Sequence, residues 1–118
     1  MTKFYVCKQC ETVVGKICGG GNLICCGKTM EGLPFNNSEG LSVKVKGDVV
    51  EVDFLDGVKN HKSIKNGVSG FVYLKTENGG QRKQINNLEP INFILINDIA
   101  VSVYAYIFSV GVYFLKIK

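Results

Sequence analysis

The stretch KFYVCKQCETVVGKICGGGNLICCGKTM, residues 3–30, holds all five cysteines of the 118-residue chain. Cys7 and Cys10 form a Cys-x-x-Cys pair, and after fourteen intervening residues Cys25 and Cys26 are adjacent. A Cys-x-x-Cys loop can bring two sulfur atoms to one metal ion, and four thiolates select iron or zinc over calcium or magnesium. We therefore predict that these four residues, hereafter the cysteine cluster, are the ligands of a single metal ion.

Disulfides are the main alternative for these cysteines. Met1 leads into Phe4–Cys7 without an apolar run as long as that of a signal peptide, so we expect a cytoplasmic protein whose thiols stay reduced. No βαβ pattern surrounds Cys7, which argues against a thioredoxin-like site. The fifth cysteine, Cys18, is expected to be a small buried apolar residue; a redox-active thiol and a replacement ligand are its alternatives.

The adjacent pair bears on the identity of the metal. Neighbouring side chains tend to diverge, so bringing both Cys25 and Cys26 to one ion should distort the tetrahedron. We take such distortion to favour a redox-active iron over a structural zinc. Zinc accepts the same four thiolates, so the residues alone leave both metals open.

The rest of the chain has the pattern of strands joined by turns. The chain has 14 glycines and 2 prolines, and alternation of apolar and polar residues begins at Leu41 after a predicted linker over residues 33–40. Gly47-Asp48 is a predicted turn, and Asn78-Gly79-Gly80 is a predicted hairpin. Besides the two strands on either side of Gly47-Asp48, candidate strands cover residues 69–76, 81–86, 91–96, 100–106 and 110–117. This spacing predicts an all-β fold with an antiparallel β-sandwich.

Charge and hydropathy argue against two kinds of partner. The net charge of +4 comes from scattered lysines without a basic stripe, so no nucleic acid is expected. Residues 99–115 carry no charge, which is the lower limit for a membrane span. Ser102, Ser109 and Gly111 interrupt that run, and we predict two buried strands with a turn near residues 108–111 instead of a contact with a membrane.

Residues 3–30 resemble desulforedoxin and the amino-terminal domain of desulfoferrodoxin, the two-domain superoxide reductase. They share the cysteine spacing, the GGG before the second pair, the CCG turn and Met30. The resemblance implies a rubredoxin-type domain over residues 1–36, with one ferrous or ferric iron held by the cysteine cluster, and a homodimer. Glu11 stands where the family usually has glycine.

The resemblance also implies an immunoglobulin-like β-sandwich over residues 37–118. In the family, four histidines and one cysteine hold a catalytic iron there. This chain has one histidine, His61, and no cysteine after Cys26, and Ile107 and Val110 replace the family's ligand cysteine and a ligand histidine. We therefore expect no superoxide-reducing centre and no enzyme activity.

Two functions remain from this reasoning. The first is an iron-binding electron-transfer protein that exchanges electrons with a redox partner protein. The second is a non-catalytic protein-interaction module in which zinc or iron is structural. Lys59, Lys62 and Lys65 surround His61; we interpret them as a solvated loop, with a docking patch for an acidic partner as the alternative.

Overall fold

Two compact units make up the protein, Met1–Pro34 and Phe35–Lys118. The computed structural model describes residues 3–16, 19–33, 35–36, 40–61, 67–108 and 110–118. Strands joined into mainly antiparallel sheets dominate these residues, which confirms the predicted all-β class. The boundary predicted from the sequence, after residue 36, lies two residues beyond the division after residue 34.

The first unit is built from very short strands. These are β1 (Lys3–Val6), β2 (Val13–Lys16), β3 (Ile24–Cys25), β4 (Lys28–Thr29) and β5 (Glu31–Gly32). They form a sheet of order β2-β1-β5 and a separate β3-β4 hairpin. Among the described residues of this unit, the buried apolar side chains are Phe4, Cys7 and Met30. Such a core is too small to hold a domain together by hydrophobic burial alone.

The second unit is a β-sandwich. Its elements are β6 (Phe35–Asn36), β7 (Leu41–Lys46), β8 (Val49–Phe54), α1 (Asp56–Lys59), β9 (Gly70–Thr76), β10 (Gly79–Ile85), β11 (Ile91–Ile94), β12 (Ala100–Ile107) and β13 (Gly111–Lys116). The sheet orders are β10-β9-β12-β13-β6 and β11-β8-β7. All pairs are antiparallel except β6 with β13, which is parallel.

The sandwich core follows the alternation in the sequence. Val50, Val52 and Phe54 on β8 are each no more than 1% exposed, as the inward face of an alternating strand requires. Burial declines along the neighbouring strand β7, from Leu41 at 3% to Val45 at 50% exposed. Val45 lies opposite Val50 and so on the same face of the sheet, although half of its side chain is exposed.

The glycines of the predicted Asn78-Gly79-Gly80 turn lie in a strand. The hairpin exists, but Thr76 pairs with Gly79, so its two-residue turn consists of Glu77 and Asn78. Gly80 is outside the turn, and its lack of a side chain leaves room for the ring of Tyr73. A Cβ atom there would lie 2.4 Å from the hydroxyl oxygen of Tyr73.

The uncharged run near the end forms the predicted pair of strands. β12 and β13 pair along their length, with Ser102 opposite Lys116 at one end and Ile107 opposite Gly111 at the other. This segment is therefore part of the sheet core. Ser109, in the predicted turn, lies outside the described residues. Within the described residues, the structure has no helix of sufficient length and apolarity for a membrane crossing.

Side chains join the outer edges of the two sheets. Gln81 on β10 donates a hydrogen bond through Nε2 to the carbonyl oxygen of Ile94 on β11, at 2.7 Å. Lys83, two residues along β10, donates through Nζ to the carbonyl oxygen of Asn92. The same ammonium group lies 5.4 Å from the centre of the Phe93 ring. β10 thus satisfies two backbone acceptors of β11 that do not face β8.

Candidate metal centre

The structure brings together all four residues of the cysteine cluster. Their Sγ atoms lie within 4.8 Å of one another. The Sγ atoms of Cys10 and Cys25 are 3.5 Å apart, and those of Cys25 and Cys26 are 3.9 Å apart. A regular tetrahedron with metal–sulfur bonds of about 2.3 Å has sulfur–sulfur edges of about 3.8 Å. The four thiols therefore fit the coordination shell of one metal ion.

The first pair lies on the turn between β1 and β2. Cys7 donates its backbone N–H to the carbonyl oxygen of Thr12 at 2.9 Å, and Glu11 donates to the carbonyl oxygen of Cys7 at 2.7 Å. Glu11 has a φ of 66°, a left-handed conformation that costs a non-glycine residue about 1–2 kcal/mol. Glycine adopts this conformation without that cost, so it would suit the position at which this chain has glutamate.

The second pair lies on the β3-β4 hairpin. Cys25 pairs with Lys28, so Cys26 and Gly27 form a two-residue turn. Their φ angles are 52° and 74°, the positive values that a type I′ hairpin turn requires at both central residues. The left-handed backbone at Cys26 turns its side chain toward that of Cys25. Adjacent cysteines, whose side chains would diverge on a regular strand, can therefore serve one ion.

The four thiols differ in exposure and in acidity. Cys7 is buried, Cys25 is half-buried, and Cys10 and Cys26 are exposed. Hydrogen bonds from the side chain and the backbone of Thr12 lower the pKa of Cys10 to about 6. Hydrogen bonding to Cys10 and Cys7 raises the pKa of Cys25 to about 12, and the same two neighbours raise that of Cys26. A metal ion binds the deprotonated thiolates, so metal binding at this cluster would release protons.

Thr12 is a site residue that the sequence reasoning missed. Its Oγ1 lies 3.1 Å from the Sγ atom of Cys10. A threonine two residues after a Cys-x-x-Cys pair carries no recognisable signal, because its contact depends on the fold of the turn. Lys8 and Glu31 of the same unit form an exposed ion pair of 2.9 Å.

The other residues singled out by the sequence lie elsewhere. Ile107 is fully buried in the sandwich core, and Val110 packs against that core. His61 is half-buried and donates its backbone N–H to Val58 at 3.1 Å. Cys18, Lys62 and Lys65 fall outside the described residues. In the described part of the chain, the cysteine cluster is the one group of three or more side chains arranged to hold a metal ion.

The β fold described above is similar to that of a superoxide reductase. One solved structure that it matches is the superoxide reductase from Treponema pallidum. The match has a TM-score of 0.78, covers 98% of both chains and has 21% sequence identity, so the likeness is one of fold. No family model matches the chain, and no curated protein matches it either.

Proposed function

We propose that this chain is an iron-binding electron-transfer protein of the desulfoferrodoxin type, with one mononuclear centre in the cysteine cluster. The observation that carries the proposal is the convergence of four thiols within 4.8 Å in a unit with very little apolar core. Iron bound there would supply a one-electron ferrous/ferric couple. Four protein ligands leave no open position for a substrate, so the site suits electron transfer without bond formation.

The exposed part of the cluster supports this role. Cys10 and Cys26 are exposed, and the neighbouring Ile24 is 70% exposed. Sulfur atoms that reach the surface give a partner protein a short path to the centre, and an exposed apolar side chain beside them suits a transient contact. The redox partner, the homodimer and the cytoplasmic location remain predictions from the sequence.

Zinc in the same site is the second candidate, and the closed shape of the cluster favours it. Structural zinc sites have four protein ligands and no open coordination position, as this one would have. In that case the metal stabilises the first unit, and the protein is a non-catalytic interaction module.

An absorption spectrum separates the two candidates. Protein purified without oxygen should contain one iron per chain and should turn coloured when ferricyanide oxidises it, because thiolate-to-ferric charge transfer absorbs visible light. Dithionite should remove the colour. A colourless protein with one zinc per chain, in cells supplied with both metals, would contradict the iron proposal and support the structural one.

We further propose that the sandwich lacks a superoxide-reducing centre. The support is the single histidine of the chain together with the buried, donor-free side chain at Ile107. We expect superoxide to be consumed no faster by the iron-loaded protein than by an equal amount of free iron, measured by pulse radiolysis. Rapid consumption that His61→Ala abolishes would contradict this part of the proposal.

A further inference from the structure

We propose that the Thr12 hydroxyl group raises the reduction potential of the centre by donating a hydrogen bond to the Cys10 sulfur. The inference rests on the proposed function and deepens it, since it names a residue outside the ligand set that tunes electron transfer. Its basis is the 3.1 Å separation between Thr12 Oγ1 and Cys10 Sγ.

The direction of this hydrogen bond is set by metal binding. Between two neutral groups either atom can donate, but a cysteine sulfur that is bound to a metal carries no proton. The hydroxyl group is then the donor and the thiolate is the acceptor. Hydrogen bonds that end on a charged acceptor are shorter and roughly twice as strong as those between neutral groups.

The backbone of the folded unit holds the threonine in place. Its carbonyl oxygen accepts the backbone N–H of Cys7 at 2.9 Å, and the next residue, Val13, begins β2 opposite Val6 on β1. A β-branched side chain on such a fixed backbone has few rotamers. The hydroxyl group, although exposed, is therefore directed at the sulfur at little entropic cost.

The effect on the redox equilibrium follows from charge. An iron with four thiolates has a net charge of −2 in the ferrous state and −1 in the ferric state. The sulfur atoms hold more electron density in the ferrous state, so the hydroxyl group stabilises that state more. Outer hydrogen bonds of this kind are a general means of tuning metal centres. Removing the hydroxyl group should therefore lower the reduction potential.

The test compares Thr12→Val and Thr12→Ser with the wild-type protein. Valine keeps the size and branching of threonine and the backbone N–H, and loses only the donor. We expect Thr12→Val to shift the ferrous/ferric equilibrium toward ferric by about tenfold, which is ~59 mV for a one-electron couple. Thr12→Ser should retain most of the wild-type potential. Thr29→Val, which removes an exposed hydroxyl group on β4 of the same unit, is the control and should leave the potential unchanged.

Cobalt substitution gives a second readout that does not depend on iron. Loss of the hydrogen bond raises the energy of the sulfur lone pairs, so the sulfur-to-cobalt charge-transfer band of Thr12→Val should move to longer wavelength. Equal potentials and equal band positions in the wild-type and Thr12→Val proteins would overturn the inference while leaving an intact electron-transfer centre. A wild-type protein that takes up neither metal in one-to-one ratio would overturn the proposed function as well.

Discussion

Replacing Cys7 by serine is expected to remove the metal and to unfold the first unit while the sandwich stays folded. Cys7 is 4% exposed, and it is both a proposed ligand and one of the few buried side chains of this unit. Structural zinc in zinc-finger peptides, for comparison, contributes about 10–16 kcal/mol of apparent folding free energy. We expect metal affinity to fall more than about 100-fold, since even outer-shell changes cost 10–100-fold.

Amide exchange followed by NMR measures both parts of this prediction. In Cys7→Ser, and in wild-type protein treated with a strong chelator, amides of residues 3–33 should exchange rapidly, while those of β9 and β12 stay protected. Cys18→Ser is the matched control, because the fifth cysteine is not among the proposed ligands. A Cys7→Ser protein with one bound metal and a protected first unit would show that the thiols do not act together.

Gly70→Ala is expected to destabilise the sandwich strongly. Gly70 begins β9 and pairs with Ile85 on one side and Ile107 on the other. A Cβ atom there would lie 1.9 Å from the carbonyl oxygen of Tyr106, so the backbone of β12 would have to move. Overpacking costs typically 1–3 kcal/mol, and because a backbone atom is displaced we expect about 3 kcal/mol.

Thermal unfolding of the second unit tests this effect. A loss of this size should lower the Tm by roughly 15 °C in a unit of this length. Gly79→Ala is the control, because a Cβ atom at Gly79 would meet no atom within 4 Å and its φ is not positive. That variant should unfold within about 0.5 kcal/mol of wild type. Similar Tm values for the two variants would mean that β9 and β12 are not packed this closely.

The parts of the structure that the sequence predicted are those set by regular spacing. The cysteine cluster is specified by a Cys-x-x-Cys pair and an adjacent pair, and the structure brings these residues together. The buried face of β8 follows from the alternation at Val50, Val52 and Phe54. The hairpin near Asn78 follows from turn residues between two alternating runs. Each of these features needs only local pattern and elementary geometry.

The parts that the sequence did not predict depend on very short elements or on unusual backbone. The helix at Asp56–Lys59 is one turn long, and Phe35–Asn36 joins the sheet beside β13 over two residues, so neither has a measurable period. Cysteine rarely adopts a positive φ, so the left-handed conformation of Cys26 could not be predicted from the sequence. The position of Thr12 beside Cys10 follows from backbone hydrogen bonds that no local pattern encodes.

The side-chain bridge from β10 to β11 has a consequence for solubility. Exposed strand edges attract strands of other molecules, which is the first step of cross-β aggregation. On β11 the outward carbonyl groups of Asn92 and Ile94 already accept hydrogen bonds from Lys83 and Gln81. A foreign strand would have to displace both side chains, including a charged one. The sandwich is thereby shielded along this side against growth into intermolecular sheets.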